Sequence, residues 1–479
     1  MTVWVATGLC LQILALVIMH AAINGHWIRH LGALLLLVAS LYQGGTEVMQ
    51  WLAPGSNPYR AMLTQEQIDS WVILVSLAML AYTIAYVIGT RRSKGVEAEP
   101  SVKAVDGLHL WWLLPLTLPL IAATIQGKAN RPSAGLGASL PASNNYVLSG
   151  TTLQFLVYLV AVCGVVVFVR LGPKVALPTL LCQALVLSFA GARSSVVLAS
   201  ILSLYGASIA GIRIPKKQLM VAGAVMALLM ASISASRAVD GRQSFAADAG
   251  FAQRLNALTD GLEIVPTDEG RQAIMKDFIY RFDGNTFGAM VLGSLDHGAN
   301  PVGLTTASND IFLAIPSFLN PNKRDSSLAT RDEEVYLGIR FGLPSSVDFL
   351  PGLFGTLIAY FGRAGLFLLS GLLGVAFAAA DVVIFKTCTS ARLLFGIGVL
   401  NCVLLYEVGP SVYPLTLRGV LVLIFLLMTT RWIHAQVTRV RFRKTSELTA
   451  LQKSAPMRHN DTRMIDGSSN LTERFGFRS

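Results

Sequence analysis

The stretch LFLLSGLLGVAFAAADVVIF, residues 366–385, decides the class of fold, because Asp381 is its only charged residue. A helix that crosses a bilayer needs about 20 mainly apolar residues, and this run supplies them. Comparable runs recur at residues 3–22, 31–44, 70–89, 108–125, 152–169, 176–190, 194–212, 219–233, 393–405 and 415–430. We therefore predict an all-α polytopic membrane protein with 11 transmembrane helices and one large extracytoplasmic loop that contains short helices.

The composition agrees with this class. Of the 479 residues, 53% are apolar and 14% are charged, whereas a soluble globular chain carries about 25% charged residues. These values exclude a soluble multi-domain enzyme, a disordered chain and a nucleic-acid-binding domain. The formal charge of +11 is typical of a membrane protein that collects basic residues on its cytoplasmic face.

The basic residues alternate between the two sides of the predicted helices. One set of loops holds clusters such as Arg91–Arg92 and Lys216–Lys217, and the tail after Thr430 adds ten more. Apart from the large loop, the short loops and helix mouths of the opposite side hold only Arg60, Lys128, Arg131, Arg193, Arg363 and Arg418. The positive-inside rule then predicts an external N-terminus, a cytoplasmic C-terminus and a large loop on the outer side of the membrane.

Four regions follow from this topology. Residues 1–234 form an N-terminal bundle of eight transmembrane helices, and residues 235–365 form the large periplasmic loop. Residues 366–430 hold the last three transmembrane helices, and residues 431–479 are a basic cytoplasmic tail. The apolar segment 353–361 is too short to span a bilayer, so we predict a re-entrant segment there.

Arg193 is the first candidate site residue. It follows Gly191 and Ala192 at the outer mouth between two apolar helices. A guanidinium at the centre of a membrane helix costs about 2.5–3.5 kcal/mol, and less toward the interface, so a compensating partner is expected. The rigid fork of arginine suits bidentate contact with phosphate. A side chain that only extends to the interface is the alternative.

Further cations lie along the large loop. The loop is rich in arginine and poor in lysine, which suggests anion recognition. We predict that diphosphate or substrate is bound by Arg237, Arg242, Arg254, Lys323 and Arg324. Arg281 is spaced two residues from Asp283, and we assign both, with Arg193 and His297, to catalysis. Loop salt bridges and solvated turns are the alternatives.

These features resemble the Wzy-type O-antigen and exopolysaccharide polymerases. That family has many membrane helices, a large periplasmic loop and an arginine in a small-residue turn like 191–193. Two further elements match, and they are carried by Pro316, Phe318, Leu319, Pro321 and Lys323, and by Phe361, Gly362 and Gly365. Ser317 stands where the family element has arginine, and the resemblance covers residues 191–365.

The resemblance implies a polysaccharide polymerase, that is, a membrane glycosyltransferase of polysaccharide biosynthesis. It would transfer a growing glycan from undecaprenyl diphosphate to a lipid-linked repeat unit on the outer face of the inner membrane. The leaving group is a diphosphate, so arginines aimed at its charge serve the chemistry. The general base stays open among His297, Asp283, Glu269, Glu333 and Glu334. We predict no cofactor and no metal.

Other functions remain open. An O-antigen ligase would share the topology and the site residues. A lipid-linked oligosaccharide flippase or transporter would place ionisable residues near the bilayer midplane, whereas Asp381 and Glu407 lie toward helix ends. The partners implied by the polymerase are the undecaprenyl-diphosphate-linked oligosaccharide, membrane lipid, and a chain-length regulator and flippase of the same pathway, with no nucleic acid.

Overall fold

The computed structural model describes residues 2–52, 57–91, 150–188, 193–240, 251–304, 315, 333–343, 351–386, 390–408 and 412–454. Every regular element in these ranges is helical. The first part of the chain forms α1 (Val3–Ala22), α2 (Leu31–Ser40), a π turn (Leu41–Gly45), α3 (Thr46–Leu52) and α4 (Gln65–Arg91). After a stretch outside the described residues come α5 (Gly150–Leu171), α6 (Pro173–Ser188), α7 (Arg193–Ile209) and α8 (Lys216–Asp240).

The remaining helices belong to the large loop and the C-terminal region. The loop forms α9 (Phe251–Ile264), α10 (Asp268–Arg281), α11 (Asn285–Asp296) and α12 (Glu333–Arg340). The C-terminal region forms α13 (Gly352–Lys386), α14 (Ser390–Leu404) and α15 (Val412–Ser454), with a 3-10 turn at Tyr406–Val408. Short helices were predicted in residues 235–365, and α9, α10, α11 and α12 lie in that range. That this range is one extracytoplasmic loop stays a prediction.

Within the described residues, five helices are long and apolar enough to cross a membrane. They are Val3–Ala22, Leu31–Leu52, Gln65–Arg91, Lys216–Ser236 and Gly352–Ile384. Shorter apolar helices lie at Val160–Leu171, Val197–Ile209, Leu393–Leu404 and Thr416–Phe425. The chain is therefore an all-helical membrane protein. The count of 11 spans stays a prediction, because the span at 108–125 lies outside the described residues.

Glycines bring the central helices close together. A Cβ at Gly374 of α13 would stand 2.4 Å from the Tyr82 carbonyl of α4, and one at Gly89 would stand 2.7 Å from the Ala378 Cβ. Between α5 and α7, a Cβ at Gly206 would stand 2.3 Å from Val165. Small residues at such crossings let membrane helices pack backbone to backbone, where hydrophobicity alone gives no drive to associate.

Asp381 holds one end of this bundle together. It is buried on α13, where its Oδ1 accepts the Leu31 N–H at 2.9 Å and its Oδ2 accepts the Gly32 N–H at 3.3 Å. The Tyr86 hydroxyl of α4 also donates to Oδ2. These amides begin α2 and have no partner within that helix. One carboxylate thus joins α2, α4 and α13 at the end of the bundle that we call the Asp381 end.

The opposite end of the bundle is where α1 and α4 begin and where the π turn lies. Thr2 donates to Asp69 at 2.7 Å, which ties the first residues of α1 to those of α4. The Gly284 N–H donates to the Tyr42 carbonyl of the π turn at 3.2 Å. Because the loop helix α11 begins directly after Gly284, we call this the loop end.

The predicted re-entrant segment 353–361 lies in the first of two helical parts of α13, which Gly362 separates. It is buried and helical up to a break at Gly362, whose φ is 68° and ψ is −169°. The break frees the carbonyls of Ala359 and Tyr360, which accept from Val302 at 3.0 Å and Gly303 at 2.8 Å. Glycine tolerates this positive φ without a Cβ penalty.

Two of the predicted boundaries between regions of the chain fall inside helices. Helix α8 continues to Asp240, past the predicted boundary at 234, and α13 runs through the one at 365. The chain separates into two compact units, Met1–Met428 and Thr429–Ser479. In the second unit, Trp432, Val437 and Val440 expose apolar surface.

Candidate functional site

A buried polar network surrounds the π turn at the loop end. π turns inside helices occur frequently at functional sites. The Gln43 side chain donates to the Gly284 carbonyl at 3.3 Å and to the Tyr406 hydroxyl at 3.1 Å. Its Oε1 is buried and accepts no hydrogen bond from the described residues. Burial raises the pKa of Tyr406, with the hydrogen bond from Gln43 opposing that shift, so this phenol stays neutral.

The same network contains a buried ion pair between Glu47 and Arg60. Arg60 Nη1 donates to Glu47 Oε1 at 2.8 Å, and Nη2 donates to Oε2. Asn285 adds a hydrogen bond to Glu47 Oε1 at 2.7 Å and accepts one from Trp71 at 3.0 Å. A buried pair is favourable only with such additional hydrogen bonds, and here they fix α3, α4 and α11 against one another.

Asp283, a predicted catalytic residue, lies beside this network and is 5% exposed. Its Oδ1 accepts the N–H groups of Asn285 and Thr286, both at 3.0 Å. Its Oδ2 accepts from the Asn57 amide and the Thr286 hydroxyl. All four bonds stabilise the carboxylate, and the two backbone bonds cap α11. This geometry favours a structural role for Asp283 over a role as general base.

His297, another predicted catalytic residue, lies exposed at the end of α11. Its Nδ1 is 2.7 Å from the Gly293 carbonyl. A carbonyl only accepts, so Nδ1 carries the proton and Nε2 of the neutral ring keeps a lone pair. Asp296 precedes this residue and pairs with Arg363, which directly follows the break at Gly362. A base and a cation therefore share one exposed surface, which we call the His297–Arg363 surface.

Arg254, predicted to bind diphosphate, is fully buried between α9 and α8. The two helices are antiparallel, since Ser232 donates to the Leu258 carbonyl at 2.6 Å and Ile233 packs against Ala257. Arg254 lies one turn before Leu258 in α9, so this antiparallel register places its backbone at the level of Ser236 and Arg237. With no exposed surface, its guanidinium is out of reach of a ligand in this structure.

The other predicted site residues are less completely described. Arg193 is the first residue of α7, Arg237 lies in α8, and Arg281 is the last residue of α10; nothing is described of these three side chains. Arg242, Lys323 and Arg324 lie outside the described residues. Glu269 is exposed on α10. The structure thus places His297 and Arg363 on one surface. It also places the backbone of Arg237 near that of Arg254.

Sequence reasoning missed Gln43, Glu47, Arg60 and Asn285 as one cluster. The predicted span 31–44 ended at the paired glycines Gly44 and Gly45, which placed Glu47 in a loop. A carboxylate inside a candidate span is the signal that could have pointed to this cluster. Among the described residues, no group of three or more His, Cys, Asp or Glu side chains is arranged to hold a metal.

The architecture and this end of the bundle define a helical membrane protein. Comparison with known proteins adds no relative: no family model matches the chain, and neither a curated protein nor a solved structure is similar to it.

Proposed function

We propose that this membrane protein is a polysaccharide polymerase. It transfers a growing glycan from undecaprenyl diphosphate to a lipid-linked repeat unit on the outer face of the bacterial inner membrane. In this proposal the loop end faces the periplasm, the C-terminus is cytoplasmic, and catalysis needs no metal or cofactor. A flippase and a chain-length regulator of the same pathway are its partners.

The observation that carries the proposal is the His297–Arg363 surface. The hydrogen bonds from Val302 and Gly303 to the end of the first part of α13 hold Gly362 beside the segment that follows α11. They bring the sequence element Phe361–Gly362 and Gly365, on which the resemblance rests, next to His297. Two segments distant in sequence thus supply one base and one cation to a solvent-exposed surface.

The chemistry of glycan transfer suits this pair. The acceptor hydroxyl oxygen attacks the anomeric carbon, the bond from that carbon to the diphosphate oxygen breaks, and its electron pair leaves with undecaprenyl diphosphate. His297 Nε2 takes the hydroxyl proton, a contribution typically worth about 10²–10⁴-fold. Arg363 stabilises the leaving diphosphate through charge-assisted hydrogen bonds, each worth about 1.5–3 kcal/mol.

A deletion strain complemented with variants tests the proposal. The deletion should leave single repeat units on the lipid carrier or core. Arg363→Gln should lower polymer formation about 10–100-fold, from one lost charge-assisted bond, and His297→Gln should lower it at least as much. Immunoblots of membranes check that both variants are present.

Arg271→Gln is the matched control, because this loop arginine is exposed and pairs only weakly with Asp268 at 3.7 Å. It should make normal polymer. Normal polymer in both His297→Gln and Arg363→Gln would refute the assignment of the surface. Loss of every outer-face unit in the deletion would indicate a flippase, and complete chains left on the carrier would indicate a ligase.

A further inference from the structure

Helices α9 and α10 cover the last third of the candidate span on α8. Met220, Val221 and Leu228 of α8 are exposed, whereas residues 232–236 are buried. Both loop helices pack against α8, and a Cβ at Gly261 of α9 would stand 2.3 Å from the Ser232 carbonyl. The loop helices therefore lie against a segment apolar enough to be in the membrane.

The register between α8 and α9 gives the depth of this contact. Ser232 lies four residues before the end of the span at Ser236, which corresponds to about 6 Å along a helix. Since the two helices are antiparallel, residues of α9 after Gly261 lie deeper still. The register that pairs Ile233 with Ala257 and Leu258 places Glu263 at the level of Leu228.

One exposed face of α9 is polar, beside a flank that exposes Leu255 and Leu262. Its exposed side chains recur at helical spacing and include two carboxylates and two amides: Gln253, Asn256, Asp260 and Glu263. A charged side chain at the centre of the hydrocarbon costs about 2.5–3.5 kcal/mol, falling toward the interface. Asp260 and Glu263 lie alongside the candidate span, below its end at Ser236, so we expect this face to border water rather than lipid.

We propose that α9 lines a water-filled vestibule recessed below the outer membrane surface, and that its polar face binds the saccharide of a lipid-linked substrate. The vestibule follows from depth and charge alone, whereas the saccharide rests on the proposed function. Carboxylates and amides accept and donate hydrogen bonds to neighbouring hydroxyls. The face carries no cation, so it suits the sugar rather than the diphosphate.

The vestibule is tested with single cysteines in the full-length chain in lipid nanodiscs. Cys10, Cys182 and Cys388 are replaced by Ser, and the labelling of this parent gives the background. Asn256→Cys and Glu263→Cys should react with a charged maleimide about as fast as Asn300→Cys, an exposed loop position. Leu228→Cys, at the level of Glu263 but on the lipid side, should react at least about tenfold more slowly, because the charged reagent must leave water.

Two outcomes would overturn the vestibule. Slow labelling of Glu263→Cys, equal to that of Leu228→Cys, would show that this face of α9 borders lipid. Fast labelling of Leu228→Cys would place the end of α8 above the membrane, so that no recess exists. Neither outcome depends on whether the protein is a polymerase.

The saccharide is tested by protection of Glu263→Cys. Lipid-linked oligosaccharide from the deletion strain, at about three times its Kd, should slow labelling about fourfold by occupancy. Bare undecaprenyl diphosphate should leave the rate unchanged. Equal protection by the bare carrier, or no protection by either lipid, would overturn saccharide binding while leaving the vestibule standing.

Discussion

Replacing Asp381 tests whether a single carboxylate fastens three membrane helices together. The structure gives it two backbone donors at the start of α2 and the hydroxyl of Tyr86. His30 Nδ1 lies 3.9 Å from Oδ2, too far for a hydrogen bond. The Asp381→Ala variant therefore removes every polar atom that the Leu31 and Gly32 N–H groups reach in the described residues.

The expected cost comes from these stranded donors. A buried donor left without a partner costs about 1–3 kcal/mol, and the loss of a helix cap costs about 0.5–2 kcal/mol. Tyr86 keeps His30 Nδ1 as a partner at 3.1 Å, so its contribution is smaller. We expect Asp381→Ala to lower the free energy of unfolding by about 2–4 kcal/mol. Asp381→Asn should lose about half as much, since one carbonyl oxygen remains.

Unfolding in mixed micelles by titration with SDS measures this difference, and heating of detergent-purified protein gives a second reading. Asp268→Ala is the control: this carboxylate is 94% exposed, and its removal should change the free energy by less than about 0.5 kcal/mol. An Asp381→Ala protein as stable as the wild type would refute the capping argument. So would an Asp381→Asn protein less stable than Asp381→Ala.

Three further substitutions test the break at Gly362 and the Glu47–Arg60 pair. Gly362→Ala should lower stability by about 1–3 kcal/mol in the same SDS titration, because φ of 68° with ψ of −169° is a backbone region that essentially only glycine adopts. An unchanged midpoint would contradict the break. Arg60→Gln should destabilise by about 3–5 kcal/mol, because it strands the buried charge of Glu47. Glu47→Gln should cost less, because the Arg60 side chain that it leaves is partly exposed. The double variant should cost clearly less than the sum of the single variants, and simple additivity would show that the pair is not coupled.

The helices were the predictable part of the fold, because apolar length is a local property of the chain. The span predicted at residues 3–22 coincides with α1, Val3–Ala22, and the run at 366–385 lies within α13. The segment 353–361 was predicted apart from the span that follows it, and the break at Gly362 separates the two helical parts of α13. The sequence does not show that the carbonyls of Ala359 and Tyr360, freed by this break, accept hydrogen bonds from the N–H groups of Val302 and Gly303.

The candidate site was less predictable, because contacts between distant segments create it. Glu47 follows two glycines that indicated the end of a helix, yet a π turn continues the chain and buries this carboxylate beside Asn285. His297 was identified as a candidate, whereas its fixed tautomer depends on the backbone of α11. Arg254 was chosen for its residue type, and type alone did not reveal that its side chain is buried.

The buried carboxylates bear on the choice between polymerase and transporter. Glu47 and Asp381 lie inside candidate spans, and both oxygens of each carboxylate already accept hydrogen bonds. A transporter requires an ionisable group that can exchange its partner for a proton or ion during each cycle. Breaking the hydrogen bonds of Asp381 would leave the N–H groups at the start of α2 without their acceptor, and breaking those of Glu47 would separate it from the Arg60 guanidinium. These two carboxylates therefore favour a bundle whose helices keep one arrangement. The exposed His297–Arg363 surface is where the described part of the chain offers a base and a cation to a substrate, which favours chemistry at the membrane surface over passage through the bundle.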